Sequence, residues 1–497
     1  MKQKFLYVLS LIIILGLFIF VAFNSYGYDD EFYNFNMIER VDSLSELISV
    51  VNSSDIHPSG MYVINYILLK LFGTWRAVKV ISAIFAASFI WLFWYIMSKN
   101  MSRSAIILSY ILICLNPTLL LWCTSVRWYT YFTPLLCVIG LLVKYSDSTK
   151  IKSSIFWILY FLLCLIMFHL NYIASIFIIT SFLFVLYGRR KFISQEFKFI
   201  IGCGFVSLLL VSYQVYILFT VHYPNSTSTG FFIPFTRISV GAGLNYLCGN
   251  AVIPVSIAGI MLITANIIML IFFLLRIKKF CRNINNNFLI GLYSVTMFLF
   301  PGGMSPSSAR QFSTMLPELG IFLANIYETI KNNYLKFVLL FLYSAGTIMG
   351  LYNVIAHTDT NKIRWNIPYG EIFDYIAELD PSKEILIVTD DDAILYYKSK
   401  EHRNILYRNG NVGQDEDLPE KITDWKGSVI VLRGHSPKSK KYLDFLNQLD
   451  SDTNVKKNEF GIDKFAWFKR KIDKEITDYL VKLYFIDRSK IISHDYK

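Results

Sequence analysis

Acidic residues are scarce over the first seven-tenths of this chain. Residues 1–356 carry 11 Asp and Glu against 24 Lys and Arg, whereas residues 357–497 carry 25 against 24. The formal charge of +12 therefore belongs to the first segment. That placement argues against a nucleic-acid partner, whose basic footprint would sit on the soluble part. Cysteine is sparse too. Cys114, Cys123, Cys137, Cys164, Cys203, Cys248 and Cys281 all lie in or beside apolar runs, in no metal-ligand spacing, and none falls in residues 357–497, so that segment has no internal disulfide. A Gly-rich phosphate loop is missing from it as well. Internal repeats of the kind that mark transporters are absent from the apolar part. The first apolar run, Phe5 to Phe23 behind Lys2 and Lys4, has no small-x-small cleavage site and exceeds a usual signal h-region, which predicts an uncleaved first membrane helix.

What is abundant is apolar surface: 54% hydrophobic and 16% aromatic residues over 497 positions. One soluble core cannot use that much. Runs of about 20 apolar residues predict eleven spans near 5–23, 77–98, 104–123, 129–144, 154–169, 171–187, 199–220, 251–275, 288–304, 311–330 and 335–355. The fold expected is an α-helical polytopic membrane protein, with a transmembrane domain over 1–356 and a small soluble α/β domain over 357–497. Lys2, Lys4, Lys99, Arg103, Lys144, Arg189, Arg190, Lys191, Arg276, Lys278, Lys279 and Arg282 gather on alternate loops and span ends, and the positive-inside bias puts those in the cytoplasm. Both the first long loop (24–75) and the C-terminal domain then face out from a multi-pass plasma (inner) membrane. Splitting 154–187 at His169-Leu170-Asn171 keeps Arg189-Arg190-Lys191 inside.

Seven of the eleven acids, Asp29, Asp30, Glu31, Glu39, Asp42, Glu46 and Asp55, fall in that first loop. Carboxylates packed beside a bilayer read by default as a site. Within the loop, Ile38, Val41, Leu44, Ile48 and Val51 predict one amphipathic helix lying in the interface. Met61–Phe72 predicts a short apolar helix, and Gly73-Thr74 a turn into the second span. Arg127 with Trp128, Tyr129 and Tyr131, and Arg310 before the tenth span, lie on the same side. A carboxylate can take a proton from an attacking hydroxyl while guanidinium groups clamp a phosphate leaving group. Sugar transfer from a lipid phosphate needs both.

The order of these residues, a membrane helix, Asp30-Glu31 with Phe32-Tyr33, Asp55 with His57-Pro58 and Tyr62, Ser125-x-Arg127-x-Tyr129, and Arg310 seven residues before Pro317, resembles the GT-C superfamily of integral-membrane glycosyltransferases. Within it, the pattern is most similar to the bacterial protein-mannosyltransferase-like and aminoarabinose-transferase-like branch, over roughly residues 1–330. The resemblance implies a polyprenyl-phosphate-linked sugar donor and a glycan, lipid or protein acceptor in the cell envelope, such as lipopolysaccharide O-antigen or lipid A. It implies Asp30 as general base, Glu31 as its support or as a ligand of a divalent metal where one is used, and His57 near acceptor or phosphate. Arg127 and Arg310 would hold the donor phosphate, with Asp29, Asp55 and Tyr129 lining the site. Asp29 stands beside Asp30 as an alternative base, and Ser59-Gly60 replace the second proline that often follows the His-Pro pair.

Each of these residues also has a structural reading. Asp29, Asp30 and Glu31 suit a helix start, His57 a turn, and Arg127 and Arg310 the interfacial snorkelling common among aromatic belts. Asp390-Asp391-Asp392 reads as a solvated helix start. Glu318, within the tenth span, is an intramembrane acid that the scheme leaves unused. Rival functions are a lipid-linked sugar flippase, an oligosaccharide polymerase or ligase, and a membrane-anchored receptor.

Overall fold

The computed structural model describes residues 2–25, 29–55, 57–148, 151–222, 257–280, 287–288, 310–355, 372, 375, 385–388, 428–433, 447–453, 455–462 and 479–486. The chain divides into two units, Met1–Asn24 with Val41–Ile355, and Ser25–Arg40 with Ala356–Lys497.

The first unit is built from helices: α1 (Lys2–Asn24), α3 (Leu44–Ser54), α4 (Gly60–Phe72), α5 (Trp75–Ser98), α6 (Arg103–Ile113), α7 (Pro117–Cys123), α8 (Trp128–Lys144), α9 (Ser153–Leu170), α10 (Ala174–Gly188), α11 (Ile193–Ile217), α12 (Ile257–Leu275), α13 (Leu316–Glu328) and α14 (Asn333–Ile355). Five spans, Phe5–Asn24, Trp75–Ser98, Ser153–Leu170, Ile193–His222 and Asn333–Tyr352, are long and apolar enough to cross a bilayer, and α6 with α7 forms a sixth bent by 42°. The chain is thus a multi-pass membrane protein. The expected span 288–304 lies almost wholly outside the described residues, as does most of the loop 221–250.

Two features depart from the expected helices. The amphipathic stretch 38–51 is two helices. In the second unit α2 (Asp29–Glu39) ends before Arg40, and α3 begins afresh at Leu44. Ser43 Oγ accepts the Glu46 amide (3.2 Å) while Glu46 Oε2 accepts the Asp42 amide (3.0 Å), a reciprocal cap that starts a new helix regardless of the apolar spacing across it. The expected straight span 104–123 bends because Asn116 Oδ1 accepts the amides of Thr118 and Leu119 (2.9 and 3.1 Å) and Pro117 opens α7. Elsewhere local chemistry and structure agree. Gly73 adopts φ 76°, open to glycine at no steric cost, and Thr74 caps α5 through the Ala77 amide (3.2 Å). Asn171 ends α9, and its Oδ1 takes the Ile173 amide (3.0 Å).

Helix packing follows small side chains. Ala83, Ala86 and Ala87 of α5 are fully buried in a cluster with Ile14, Phe18 and Ala22 of α1, the arrangement by which backbones approach closely in lipid. A Cβ at Gly320 would lie 2.4 Å from Ile113 Cγ1, and one at Gly350 would lie 2.6 Å from Pro117 Cγ. Those two glycines let α13 and α14 close on the bent α6–α7 pair. Polar groups buried among these helices find partners: Trp91 Nε1 donates to Ser10 Oγ (3.0 Å), Tyr110 to Ser10 O (2.8 Å) and Trp94 Nε1 to Ser109 Oγ (2.9 Å).

The second unit contains a four-stranded sheet of order β1-β2-β4-β3, with β1 (Ile385–Val388) parallel to β2 (Ser428–Arg433), and β4 (Tyr479–Ile486) antiparallel to both β2 and β3 (Lys456–Ile462). Period and composition predict strands over Ile385–Thr389, Ser428–Leu432 and Phe465–Lys469, and β1 and β2 fall on the first two. The expected strand Phe465–Lys469 lies outside the described residues, as do Asp390-Asp391-Asp392 and most of the helix candidate Tyr369–Leu379. Lys482 on β4 pairs with Asp450 and, across the sheet, with Glu459 (3.7 Å).

Candidate functional site

Asp55 ends α3, its amide bonded to Val51 O (3.0 Å), and is 5% exposed. Its Oδ1 accepts the His57 amide (3.3 Å), an Asx-type turn, and its Oδ2 accepts the Tyr62 hydroxyl. The carboxylate is thereby aimed by two neighbours on its own corner. Pro58 and Ser59 are buried, Tyr62 fully so, and His57 is half-buried. A Cβ at Gly60 would stand 2.3 Å from the His169 carbonyl oxygen. This close approach of α4 to the end of α9 leaves room for glycine alone at position 60.

The second corner joins α7 to α8. Arg127 occupies the N-cap position of α8 with an extended backbone (φ −121°, ψ 169°) and is 4% exposed. Burial within the protein sets aside the snorkelling reading, which needs a guanidinium reaching out from the helix surface. The corner is fixed by hydroxyls: Ser125 Oγ donates to Trp122 O (2.7 Å), and Thr130 Oγ1 bonds Ser125 O and Trp122 O. From α4, Asn65 Nδ2 donates to Val126 O (3.3 Å). The Tyr131 hydroxyl donates to Asn65 Oδ1 (2.6 Å), so Ser82 Oγ, 2.9 Å from the same hydroxyl, must donate to it. This chain ties α5, α8 and α4 to the carbonyl just before Arg127. Tyr129 is 1% exposed, its ring against Trp122 (5.0 Å) and Trp128 (4.2 Å). It packs the corner.

A third element was not legible in the sequence. The last residues of α11 form a π-turn, Leu218–His222, a local irregularity that often marks function. Gln214 Nε2 donates to the Tyr172 hydroxyl oxygen (2.6 Å), leaving that hydroxyl to donate to His222 Nδ1 (2.7 Å). His222, 1% exposed, lies near the backbone of Val51 and Asn52 at the end of α3, its Nε2 closing no hydrogen bond there. The Asp55 charge acts on both Tyr172 and His222. The available signals were weak: Gln214 and His222 are polar residues in an apolar run that Ser207, Ser212 and Thr220 also interrupt.

The remaining expected residues are placed as follows. Asp29, Asp30 and Glu31 form the first turn of α2, in the second unit; Glu31 is 1% exposed, and the same helix buries Asn34, Asn36, Phe32, Phe35 and Ile38. Arg310 opens a 3₁₀ turn, Arg310–Met315, that leads into α13 with Pro317 in its first turn. Lys79 on α5 is 3% exposed. The structure therefore brings Asp55, His57 and Tyr62 together at one corner and fixes Arg127 and Tyr129 at a second. Among the described residues, no group of three or more His, Cys, Asp or Glu is arranged to hold a metal ion.

No family model matches this chain, and no curated protein sequence matches it. Solved structures do. ArnT from Cupriavidus metallidurans bound to undecaprenyl phosphate superposes with a TM-score of 0.55 at 10% identity, covering 97% of this chain and 98% of that one. The same protein in the apo state gives 0.55 and 10%, covering 99% and 100%. At that identity the likeness is one of fold, and it extends over both chains nearly end to end. The fold of this chain is that of ArnT.

Proposed function

We propose that this protein is an inverting glycosyltransferase that moves a sugar from a polyprenyl-phosphate donor to a cell-envelope acceptor on the outer face of the membrane. The observation that carries the reading is Arg127, a guanidinium enclosed by the protein at the N-terminus of α8. The helix start adds its own partial positive charge to that of the side chain, and together they suit a phosphate group. The fold shared with a protein crystallised with undecaprenyl phosphate supports a lipid phosphate as that anion.

In this scheme an acceptor hydroxyl oxygen attacks the anomeric carbon as its proton passes to Asp30 (or Asp29), and the bond from that carbon to the phosphate oxygen breaks. The products are the glycoside and the polyprenyl phosphate, with the proton left on the carboxylate. Arg127 and Arg310 stabilise the charge that builds on the departing phosphate, and Glu31 supports the base. Asp55, held by Tyr62 and the His57 amide, orients the sugar hydroxyls, and His57 lies toward the acceptor. If a divalent metal takes part, Glu31 is the residue to bind it. The finer architecture belongs to the same proposal: eleven spans, N-terminus in the cytoplasm, and a small α/β domain over 357–497 outside.

The test is transfer by purified protein in liposomes supplied with radiolabelled polyprenyl-phosphate hexose and an acceptor extract. Wild type should label the acceptor, and Asp30→Asn should lose transfer on the order of 10²-fold or more with its thermal midpoint unchanged. Movement of donor across the bilayer with no label transferred would replace the enzyme reading by that of a flippase.

A further inference from the structure

Glu318 is the intramembrane acid that the transfer scheme does not use. It lies in the first turn of α13, 4% exposed, and its Oε1 is sealed from solvent and accepts no hydrogen bond from the described residues. The carboxyl group is seated on the backbone of α8 at Gly140: a Cβ there would lie 1.7 Å from Oε1 and 2.8 Å from Cδ. Only glycine leaves that seat open. The surroundings are apolar, with Phe93, Cys137, Leu316 and Ile321 in one cluster. Of charged groups, Lys144 acts on it. Lys144 stands one turn beyond Gly140 on the same helix, so the two positions share a face. Its ammonium is committed elsewhere, donating to Ile96 O at 3.1 Å. Cys137, a turn before Gly140, is the other titratable group of α8 that feels Glu318, with Cys123 of α7 and Cys114 beyond it. These are thiols that offer no fixed charge.

An ionised carboxylate with an oxygen sealed in such a place would lack both a donor and a counter-ion in contact, a costly state within a bundle. The neutral acid has neither need.

We propose that Glu318 is a proton-binding site inside the helix bundle: it is seated on Gly140 as the neutral acid, and on losing its proton it draws Lys144 away from the Ile96 carbonyl and shifts α13 against α8. The consequence follows from connectivity. Arg127 is the residue at which α8 begins, and Arg310 opens the turn that leads into α13. The Gly140–Glu318 contact therefore sets the register between the two helices that carry the two arginines. Its effect on the donor site rests on the phosphate-holding role proposed above for Arg127 and Arg310; the proton site itself does not.

The experiment is infrared spectroscopy of the full-length protein in liposomes across a pH series, in the carbonyl region of protonated carboxylic acids. Wild type should show at neutral pH a band that is missing from Glu318→Gln and that fades as pH rises. Lys144→Met, which removes the cation that acts on Glu318 among the described residues, should carry that band to higher pH. Identical wild-type and Glu318→Gln spectra throughout would overturn the proton site, and so would a band unmoved by Lys144→Met. The same preparations are titrated with undecaprenyl phosphate. Wild-type affinity should fall roughly tenfold over the interval in which the band fades, and Glu318→Gln should show no such change. Equal pH dependence in both proteins would overturn the coupling. Binding in neither, at any pH, would overturn the lipid-phosphate reading while the infrared result still decides the proton site.

Discussion

Among the described residues of the first unit two glutamates are enclosed, Glu196 at 1% exposure and Glu318 at 4%, and they are solvated in opposite ways. Glu196 Oε2 accepts Arg189 Nε (2.7 Å) and Trp157 Nε1 (2.8 Å), and its Oε1 accepts Arg189 Nη2 and Ser153 Oγ. Arg189 in turn reaches Ser146 O (3.2 Å) and lies over the Phe156 ring (4.4 Å). Every lone pair there has a use, and the group clamps the start of α9, the end of α10 and the start of α11. Glu318 has a glycine backbone and apolar side chains instead. The same residue type thus serves as cement in one place, and in the other has no bond that would explain its presence. Burial alone separates nothing; the count of donors around the carboxylate does.

The largest effect expected from this contrast is at the clamp. Glu196→Ala or Arg189→Ala leaves an uncompensated buried charge, which typically costs about 3–5 kcal/mol, and should appear as a large fall in the thermal midpoint in detergent or as loss of folded protein. Replacing both partners together, Arg189→Met with Glu196→Leu, should recover most of that loss, since well-packed apolar pairs substitute for buried ion pairs at little cost. A double variant as unstable as the singles would mean that the network specifies the helix arrangement in a way its charges alone do not explain.

Next in size is Gly140→Ala. The added methyl would occupy the seat of Glu318 Oε1, and overpacking of this kind costs about 1–3 kcal/mol. Combining it with Glu318→Ala should restore stability, because the methyl then has nothing to strike; the coupling in that double-mutant cycle measures the contact itself. Tyr131→Phe comes third. It removes the hydroxyl that joins Asn65 to Ser82 and leaves both polar groups short of a partner, at about 1–3 kcal/mol by the usual penalty. It should also weaken lipid-phosphate binding, because the loop carbonyl held by Asn65 immediately precedes Arg127.

How much of this was legible beforehand depended on whether the signal was local. The Asn171 break and the Gly73-Thr74 turn into α5 are written in the residues that make them, and the structure has both. The Ser43–Glu46 cap was just as local, yet the apolar spacing from Ile38 to Val51 ran straight across it and predicted one helix where there are two. Asn116-Pro117 was masked in the same way by the apolar run on either side, which read as a straight span. The Tyr172–Gln214–His222 chain could not be read at all: its members stand 42 and 50 positions apart and meet only because α9, α10 and α11 fold back on one another. The polar corner at Asp55 lies between these cases, since His57 and Tyr62, which orient the carboxylate, are within seven residues of it, but the close seating of Gly60 against the end of α9 joins residues far apart in the chain.

The smallest expected effect is the most discriminating. Glu318→Gln replaces a carboxylic acid by an amide of nearly the same shape, so if Glu318 is already neutral in the fold the substitution removes no folded-state charge and should cost little or nothing at neutral pH, and stabilise to the extent that the unfolded carboxyl is ionised there. Glu196→Gln, the same chemical change at equal or deeper burial, removes a charge that Arg189 is paired with and should cost several times more, on the order of 3 kcal/mol. The ratio of the two thermal shifts is then a direct comparison of protonation states, independent of any assay of transfer. Linkage gives it a further edge. A carboxyl that is neutral in the fold but ionised in the unfolded chain loses its contribution as pH rises through the ordinary carboxyl range, so wild type should weaken relative to Glu318→Gln from mildly acid pH upward and converge with it at strongly acid pH. The clamp has the opposite sign: a carboxylate stabilised as the anion loses its contribution as pH falls, so wild type and Glu196→Gln should converge in acid because the wild type weakens there. Two isosteric substitutions that respond to pH in mirror image would establish that the membrane core of this protein holds one glutamate for its charge and the other for its proton.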